Sequence, residues 1–278
     1  LQAKNVVHFA SWIPGTNSVA YSTVEPRSTA PGWQANNDLY RVSITGGGPR
    51  KLLDANSGGV YGWWGMSFAY SAEGVLAYSR PDEIGLVDQD GGYLKPLLEI
   101  TPLNTHSDWA WIPPITWGAD GESLYFVSHA PAPAPITGEE SPFFDLSATS
   151  FSSEATVSII DSTGMFAYPS TSSIKSEGGE KSYQVAYLQS IFIEQSETSR
   201  YRLVVMDRDG SNKKELFPPV DSSGLEPQTP IWSPGAIEGQ AGDFIAVMYQ
   251  GNLWLVDSEN GDAYQVTGDG LINGIDWK

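Results

Sequence analysis

Few residue patterns in this chain have the types and spacing that chemistry requires. Ser172-Ser173-Ile174-Lys175 matches the Ser-x-x-Lys spacing of a lysine-assisted serine nucleophile. It lies in a Ser/Gly-rich stretch without the companion motifs, so the match reads as chance. Gly65-Met66-Ser67-Phe68-Ala69 lacks the second glycine of a Gly-x-Ser-x-Gly elbow. No strand–helix alternation is present to hold such an elbow. Gly46-Gly47-Gly48 is not followed by the Gly-Lys-Ser/Thr ending of a phosphate loop and reads as a turn. Asp207-x-Asp209-Gly210 opens like a calcium loop, but the glycine at the sixth position and the glutamate at the twelfth are missing. The same turn recurs as Asp88-x-Asp90-Gly91, so a repeated turn is the better reading. Three histidines (His8, His106, His129) stand too far apart to imply a metal site, and the chain has no cysteine. The many carboxylates form no readable pair of the glycosidase kind. No catalytic residue, cofactor or metal is therefore assigned.

The elements that would have to position any site repeat along the chain. Each unit carries an aromatic, a turn, a strand ending in Ala-Tyr or similar, and a variable loop. A second strand, a Gly-rich turn and a short basic-to-apolar strand follow. Unit one has Ser18-Val19-Ala20-Tyr21-Ser22, Asp38-Leu39-Tyr40-Arg41-Val42 and Arg50-Lys51-Leu52-Leu53. Unit four has Tyr183-Gln184-Val185-Ala186-Tyr187, Arg202-Leu203-Val204-Val205-Met206-Asp207 and Lys214-Glu215-Leu216-Phe217. Aromatics recur at positions 12, 70, 117, 168, 232 and 277, where each is expected to end an innermost strand and pack between sheets. Four short strands repeated every 40–55 residues or so are the signature of propeller blades. Such a sheet alone leaves two apolar faces bare, so each must pack on its neighbours.

Ile231-Trp232-Ser233-Pro234 and Val205-Met206-Asp207-Arg208-Asp209-Gly210-Ser211-Asn212 resemble the "WSPDG" and "MDADGSN" phrases of TolB-like propeller repeats, and the resemblance covers nearly the whole chain. Trp12-Ile13-Pro14-Gly15 lacks the Asp of that pattern, and Trp117-Gly118-Ala119-Asp120-Gly121 lacks the Pro. Propellers of prolyl-oligopeptidase-type proteins are similar, but no peptidase motif accompanies this one. The resemblance implies an all-β propeller of four-stranded antiparallel blades. Six blades are expected with the sixth incomplete; a five-bladed ring is the alternative. A single domain over residues 1–278 is expected, with blades near 7–55, 60–101, 111–161, 164–218 and 228–268 and a partial one at 271–278. Residues 1–7 are free to add a strand.

In such a fold the connections between second and third strands, and from blade to blade, emerge together. Here they are the segments 24–37, 56–64, 102–114, 129–142, 193–199 and 220–230. Loops beyond about 12 residues in compact folds are often functional. These hold Trp33, Tyr61, Trp63, Trp64, Trp109 and Trp111, with Phe143 and Phe144 directly after the fourth. Trp63, Trp64, His106, Asp108, Trp109 and Trp111 are the expected binding surface, because amphipathic rings on a rigid frame suit a protein, peptide or glycan. Pinning of the long loops is the competing role for the same rings. A non-catalytic binding scaffold is the expected function. The alternative is a carbohydrate-active lyase or hydrolase using loop carboxylates and His106.

Charge narrows the partners. The chain has 278 residues, with 15 basic against 33 acidic side chains and a formal charge of −18. That field repels phosphate backbones and anionic lipid, so neither nucleic acid nor membrane insertion is expected. No apolar run reaches the roughly 18 residues of a membrane helix. An acidic propeller suggests a periplasmic or secreted setting, with any export signal outside this chain. The oligomeric state is not readable.

Overall fold

The computed structural model describes residues 6–29, 32–54, 66–87, 94–107, 109–177, 180–235 and 242–277. By compactness the chain divides into two units, Leu1–Ile115 and Thr116–Lys278. Both are all-β, and among the described residues they carry five four-stranded antiparallel blades, the five-bladed alternative expected from the sequence.

In the first unit, β1 (Val6–Trp12), β2 (Ser18–Pro26), β4 (Leu39–Ser43) and β5 (Arg50–Leu53) make the first blade in the order β1-β2-β4-β5, and β3 (Trp33–Ala35) pairs with the far end of β2. The second blade is a meander of β6 (Ser67–Tyr70), β7 (Leu76–Arg80), β8 (Glu83–Val87) and β9 (Leu94–Glu99). A buried cluster including Ala20, Leu39, Leu53, Met66, Phe68 and Tyr78 joins the two blades. Tyr78 pairs across the ladder with Gly85, and a Cβ at position 85 would stand 2.7 Å from the Tyr78 hydroxyl, so only glycine lets this ring lie flat over its neighbour strand.

In the second unit, β10 (Ile115–Trp117), β11 (Ser123–His129), β12 (Phe144–Ser150) and β13 (Thr156–Ile160) form the third blade. The fourth comprises β14 (Ser170–Thr171), β17 (Gln184–Ser190), β18 (Tyr201–Asp207) and β19 (Lys214–Phe217), with a side hairpin β15 (Lys175–Glu177) and β16 (Glu180–Ser182). The fifth holds β20 (Ile231–Trp232), β21 (Phe244–Tyr249), β22 (Asn252–Asp257) and β23 (Ala263–Gln265).

Strand β18 shows why neighbouring sheets are needed. Its residues 201–206 are all buried, and the alternate set Tyr201, Leu203 and Val205 joins Phe217, Trp232, Ile245 and Val247 in the cluster between blades four and five. A strand covered on both faces reads as a continuous apolar run rather than an alternation. Each fully buried apolar side chain of this kind adds roughly 1.5–3 kcal/mol. The innermost strands are tied directly. Thr171 Oγ1 donates to Trp117 O at 3.0 Å, and Trp232 Nε1 donates to Ser170 O at 3.3 Å.

Three expectations need revision. Tyr168 does not end an innermost strand: it is left-handed (φ +39°), and Pro169 lacks the N–H that a ladder needs, so β14 begins only at Ser170. Residues 275–277 form no strand. Segment 24–37 is largely a hairpin: Val24 pairs with Ala35 and Pro26 with Trp33, and Asp38 accepts from Thr23 N at 2.8 Å at its base. Of the recurrent aromatics, Trp117 and Trp232 are buried, while Trp12 is 49% exposed.

Candidate functional site

Three of the six expected binding residues, Trp63, Trp64 and Asp108, lie outside the described residues. The other three fall on the connection between β9 and β10. Asn104 Oδ1 accepts from His106 N at 3.0 Å, and the hydroxyl of Thr105 donates to Trp109 O at 2.6 Å. This local turn leaves His106 exposed in the left-handed region (φ +49°) with Trp109 half-buried beside it. Trp111 is only 3% exposed. Of these three, His106 is exposed, Trp109 is half-buried and Trp111 is buried.

The remaining sequence candidates have structural duties. Ser67 opens β6 and pairs with Ser79 in a ladder, far from the strained turn that a nucleophile elbow requires. Ser172 is buried; its hydroxyl donates to Ser173 O and accepts from Gln184 N at 2.9 Å, while Lys175 Nζ pairs with Asp243 at 3.0 Å. Asp207 and Asp209 hold their own turn. Asp209 Oδ1 accepts from the N and Oγ of Ser211, which keeps its carboxyl below the usual value, and Asp207 Oδ2 accepts from Asn212 Nδ2 at 2.6 Å. His129 is buried, stacks on Phe144 and lies 2.7 Å through Nε2 from Ser141 O. No group of three or more metal-ligating side chains occurs among the described residues.

A cleft of about 300 Å³ opens in the second unit, at the long-loop ends of blades four and five. Its walls come from the β17–β18 loop (Arg200), the connection between β19 and β20 (Ser223 to Gln228), the β21–β22 turn (Met248 to Gly251) and Ile272-Asn273. Each wall is held by an identifiable device. Arg202 is buried under the loop: its Nη1 donates to Pro218 O (3.2 Å) and Ser222 Oγ (3.0 Å), and its Nη2 to Val220 O (2.7 Å) and Ser222 O (2.9 Å). One planar guanidinium thereby fixes a five-residue bend. The Gln228 amide pairs with the backbone of Met248 in both directions, accepting from its N at 2.6 Å and donating to its O at 2.7 Å. Gly251 is left-handed (φ +72°), and the backbone of Gly270 occupies the space a Cβ would need, so the chain after β23 can lie against the turn through Ile272 N to Gly251 O (2.8 Å).

Within the cleft, Arg200 pairs with Glu226. The Tyr249 ring is wedged edge-on against Phe217 (5.3 Å) and Trp254 (6.2 Å), with its hydroxyl 3.5 Å from Ser223 Oγ. Hydrogen bonding from Ser223, then Ser222, holds this phenol below the ordinary tyrosine value. Apolar side chains stand exposed close by in sequence: Phe192 (64%), Val220 (80%) and Leu271 (78%). A rigid polar floor with bare apolar neighbours can seat a chain segment that carries both kinds of group. Segments 193–199 and 220–230 were legible as long loops, but no motif marked Arg200, Gln228 or Tyr249. Their positions follow from pairings that only the folded chain shows.

A second depression, of about 600 Å³, lies at the opposite ends of these strands, lined by Lys175, Tyr183, Arg208, Asp209 and Glu259 among others. Its Tyr183 belongs to a relay: Tyr183 donates to Asp120 Oδ2 (2.9 Å), Tyr125 donates to Arg208 O (2.7 Å), and the two hydroxyls are 3.0 Å apart.

No family model matches this chain, and no curated protein sequence does. Solved structures do. TolB from Acinetobacter baumannii aligns over 92% of this chain and 54% of its own, with a TM-score of 0.51 and 14% identity. The tricorn protease aligns over the whole chain but only 24% of its own length (TM-score 0.51, 12% identity). A structure from a study of two prolyl endopeptidases aligns over 92% of this chain and 34% of its own (TM-score 0.52, 11% identity). The chain therefore spans about half the length of TolB and less of the peptidases. At these identities the likeness is one of architecture, and with the five blades it shows this chain to have the fold of a TolB-like β-propeller.

Proposed function

We propose that this chain is a non-catalytic recognition module that takes a segment of another protein on the long-loop ends of its blades. The observation that carries the reading is the Arg200–Glu226–Gln228–Tyr249 cleft, whose walls are fixed by Arg202 and Gln228 and stand near in sequence to exposed Phe192, Val220 and Leu271. Preorganised walls lower the ordering cost of binding, and clustered aromatic and arginine side chains supply most of the energy at protein interfaces. The expected surface of Trp63, Trp64, His106, Asp108, Trp109 and Trp111 is kept in the proposal as a second recognition patch, supported by the exposure of His106 and the half-burial of Trp109 on the β9–β10 connection. An extracytoplasmic setting is part of the proposal. It is supported by the formal charge of −18.

The test is selection of a displayed random-peptide library on the purified chain, followed by affinity measurements on variants. Tyr249→Phe keeps the packed ring and removes only the hydroxyl, and Arg200→Ala empties one wall. Selected peptides are expected to lose roughly five- to tenfold affinity to either change, the equivalent of about one net hydrogen bond, with melting temperature nearly constant. A library that yields no consensus, or peptides indifferent to both changes, overturns the reading. A glycan substrate turned over by the chain, with activity lost in His106→Ala, would establish the enzymatic alternative instead.

A further inference from the structure

We infer that Asn273, on the wall of the cleft and followed by Gly274, is a site of spontaneous deamidation that adds a second carboxylate to the cleft that Glu226 lines. The reaction needs an amide nitrogen free to attack the preceding side chain, and a following residue without a Cβ to hinder it. Five Asn-Gly or Asp-Gly pairs fall among the described residues: 120–121, 209–210, 260–261, 269–270 and 273–274. In four of them the glycine N–H is already engaged. Gly121 N donates to Gly118 O (3.0 Å), Gly210 N to Asp207 O (2.9 Å) and Gly261 N to Asp257 O (3.0 Å). Gly270 N donates to Asn252 Oδ1 (3.0 Å). Only Gly274 N has no hydrogen bond among the described residues, and the Asn273 side chain has none either.

Asn260 is the built-in control, because it has the same dipeptide in the same unit. Besides the held Gly261 amide, its side-chain Oδ1 accepts from Asp262 N at 2.8 Å and its own N donates to Asp257 Oδ1 at 3.2 Å. Its carboxamide must break the bond from Asp262 N before it can turn towards the backbone, and the bond from Asn260 N to Asp257 holds the local backbone. Asn273 is exposed and has only to rotate.

The balance is simple. The deprotonated Gly274 N forms a bond to Asn273 Cγ, the Cγ–Nδ2 bond breaks, and ammonia leaves with the proton. Water then opens the cyclic imide at either carbonyl, giving aspartate or isoaspartate. The first product adds a negative charge to a cleft whose charged side chains are Arg200 and Glu226. The second also lengthens the main chain by one carbon immediately after Ile272, whose N–H bonds to Gly251 O. This chemistry depends on the chain alone and stands whether or not the cleft receives a protein segment.

The experiment follows the native chain over time at mildly alkaline pH and physiological temperature. Chymotryptic cleavage at Tyr264 separates the two sites, and mass spectrometry reads the one-dalton gain at each. Asn273 is expected to convert at least about fivefold faster than Asn260, the ratio set by one net hydrogen bond of ~1 kcal/mol. In denaturant the two rates should converge. Gly274→Ala should slow position 273 alone, since Gly274 is not left-handed and nothing lies within 4 Å of a Cβ there. Equal native rates, a faster Asn260, or an undiminished rate in Gly274→Ala would each overturn the inference.

Discussion

The strands of blades four and five end in two different ways. At the β18–β19 turn, Asp207, Asp209, Ser211 and Asn212 bond to one another, and Asp207 N closes the turn on Ser211 O at 2.9 Å. The β22–β23 turn repeats this: Asp257 Oδ1 accepts from Glu259 N (2.8 Å) and Asn260 N (3.2 Å). At the opposite ends, partners come from further away in sequence. Arg202 reaches 16 to 20 residues to Pro218, Val220 and Ser222, and Gln228 reaches 20 to Met248. Self-contained turns can recur from blade to blade because their rule is local. Loops held by a single distant side chain can differ in every blade, which is where a propeller gains individual surfaces.

This contrast predicts that one substitution hurts far more at the long-loop end. Arg202→Leu removes four hydrogen bonds, leaves the carbonyls of Pro218, Val220 and Ser222 without their donor, and strands Glu215. A destabilisation of about 3 kcal/mol is expected, since several bonds to a charged donor are lost beneath a covered loop. It would be read from the urea midpoint at constant slope. By comparison Asp209→Ala, at the exposed turn, should move the midpoint by less than about 1 kcal/mol. Equal losses at the two positions would erase the distinction.

The next largest effect tests the relay at the turn end. A Cβ on Gly118 would lie 2.5 Å from the Tyr183 hydroxyl and 2.7 Å from Asp120 Oδ1. Gly118→Ala should therefore cost about 1–3 kcal/mol, the usual range for forcing atoms into a packed site. Tyr183→Phe, which vacates the same space, should recover part of that loss in the double variant. A double-mutant cycle on thermal unfolding measures the coupling, and simple additivity would show that the two groups do not compete.

How far the chain could be read in advance follows the same division. Strands β5 at Arg50–Leu53 and β19 at Lys214–Phe217 were legible to the residue, and β4 and β18 to within one, because buried strands are apolar runs bounded by local turn chemistry. Tyr168 misled because its aromatic fits the repeat, while the proline after it removes the ladder donor. The blade count was open because Ile275-Asp276-Trp277 repeats an innermost-strand phrase without a second strand to pair with. Phe144 sits where a loop meets a strand; it opens β12 and is buried against His129. The cleft was hidden for a different reason. Arg200, Gln228 and Tyr249 are ordinary residues in their own segments, and they become a site only when loops from two blades meet.

Gln228→Ala should lose the two bonds that clamp Met248, for about 1–2 kcal/mol. Because Gln228 is also a wall of the cleft, peptide affinity should fall beyond what stability explains. Calorimetry on the variant well below its melting temperature separates the two contributions. Unchanged affinity would confine Gln228 to a structural duty.

The smallest effect is in pH dependence, and its sign differs between tyrosines. Tyr249 has its proton loosened by Ser223 and Ser222, so it should ionise first, below the ordinary tyrosine value of 10.0. Between its folded value and 10.0 the folded chain binds fewer protons there than the unfolded one, so this group adds stability as pH rises through that window. Burial does the reverse at Tyr70 and Tyr201, pushing each to about 12. Their contribution is complete below pH 10.0 and is lost as pH climbs towards 12, because the unfolded chain sheds protons that the folded one keeps. Ultraviolet titration of tyrosinate should show one early step that Tyr249→Phe abolishes, then a steep rise coincident with loss of the folded signal. An early step that survives Tyr249→Phe would mean that the serine hydrogen bonds do not hold the hydroxyl in solution, and the cleft would lose its polar anchor.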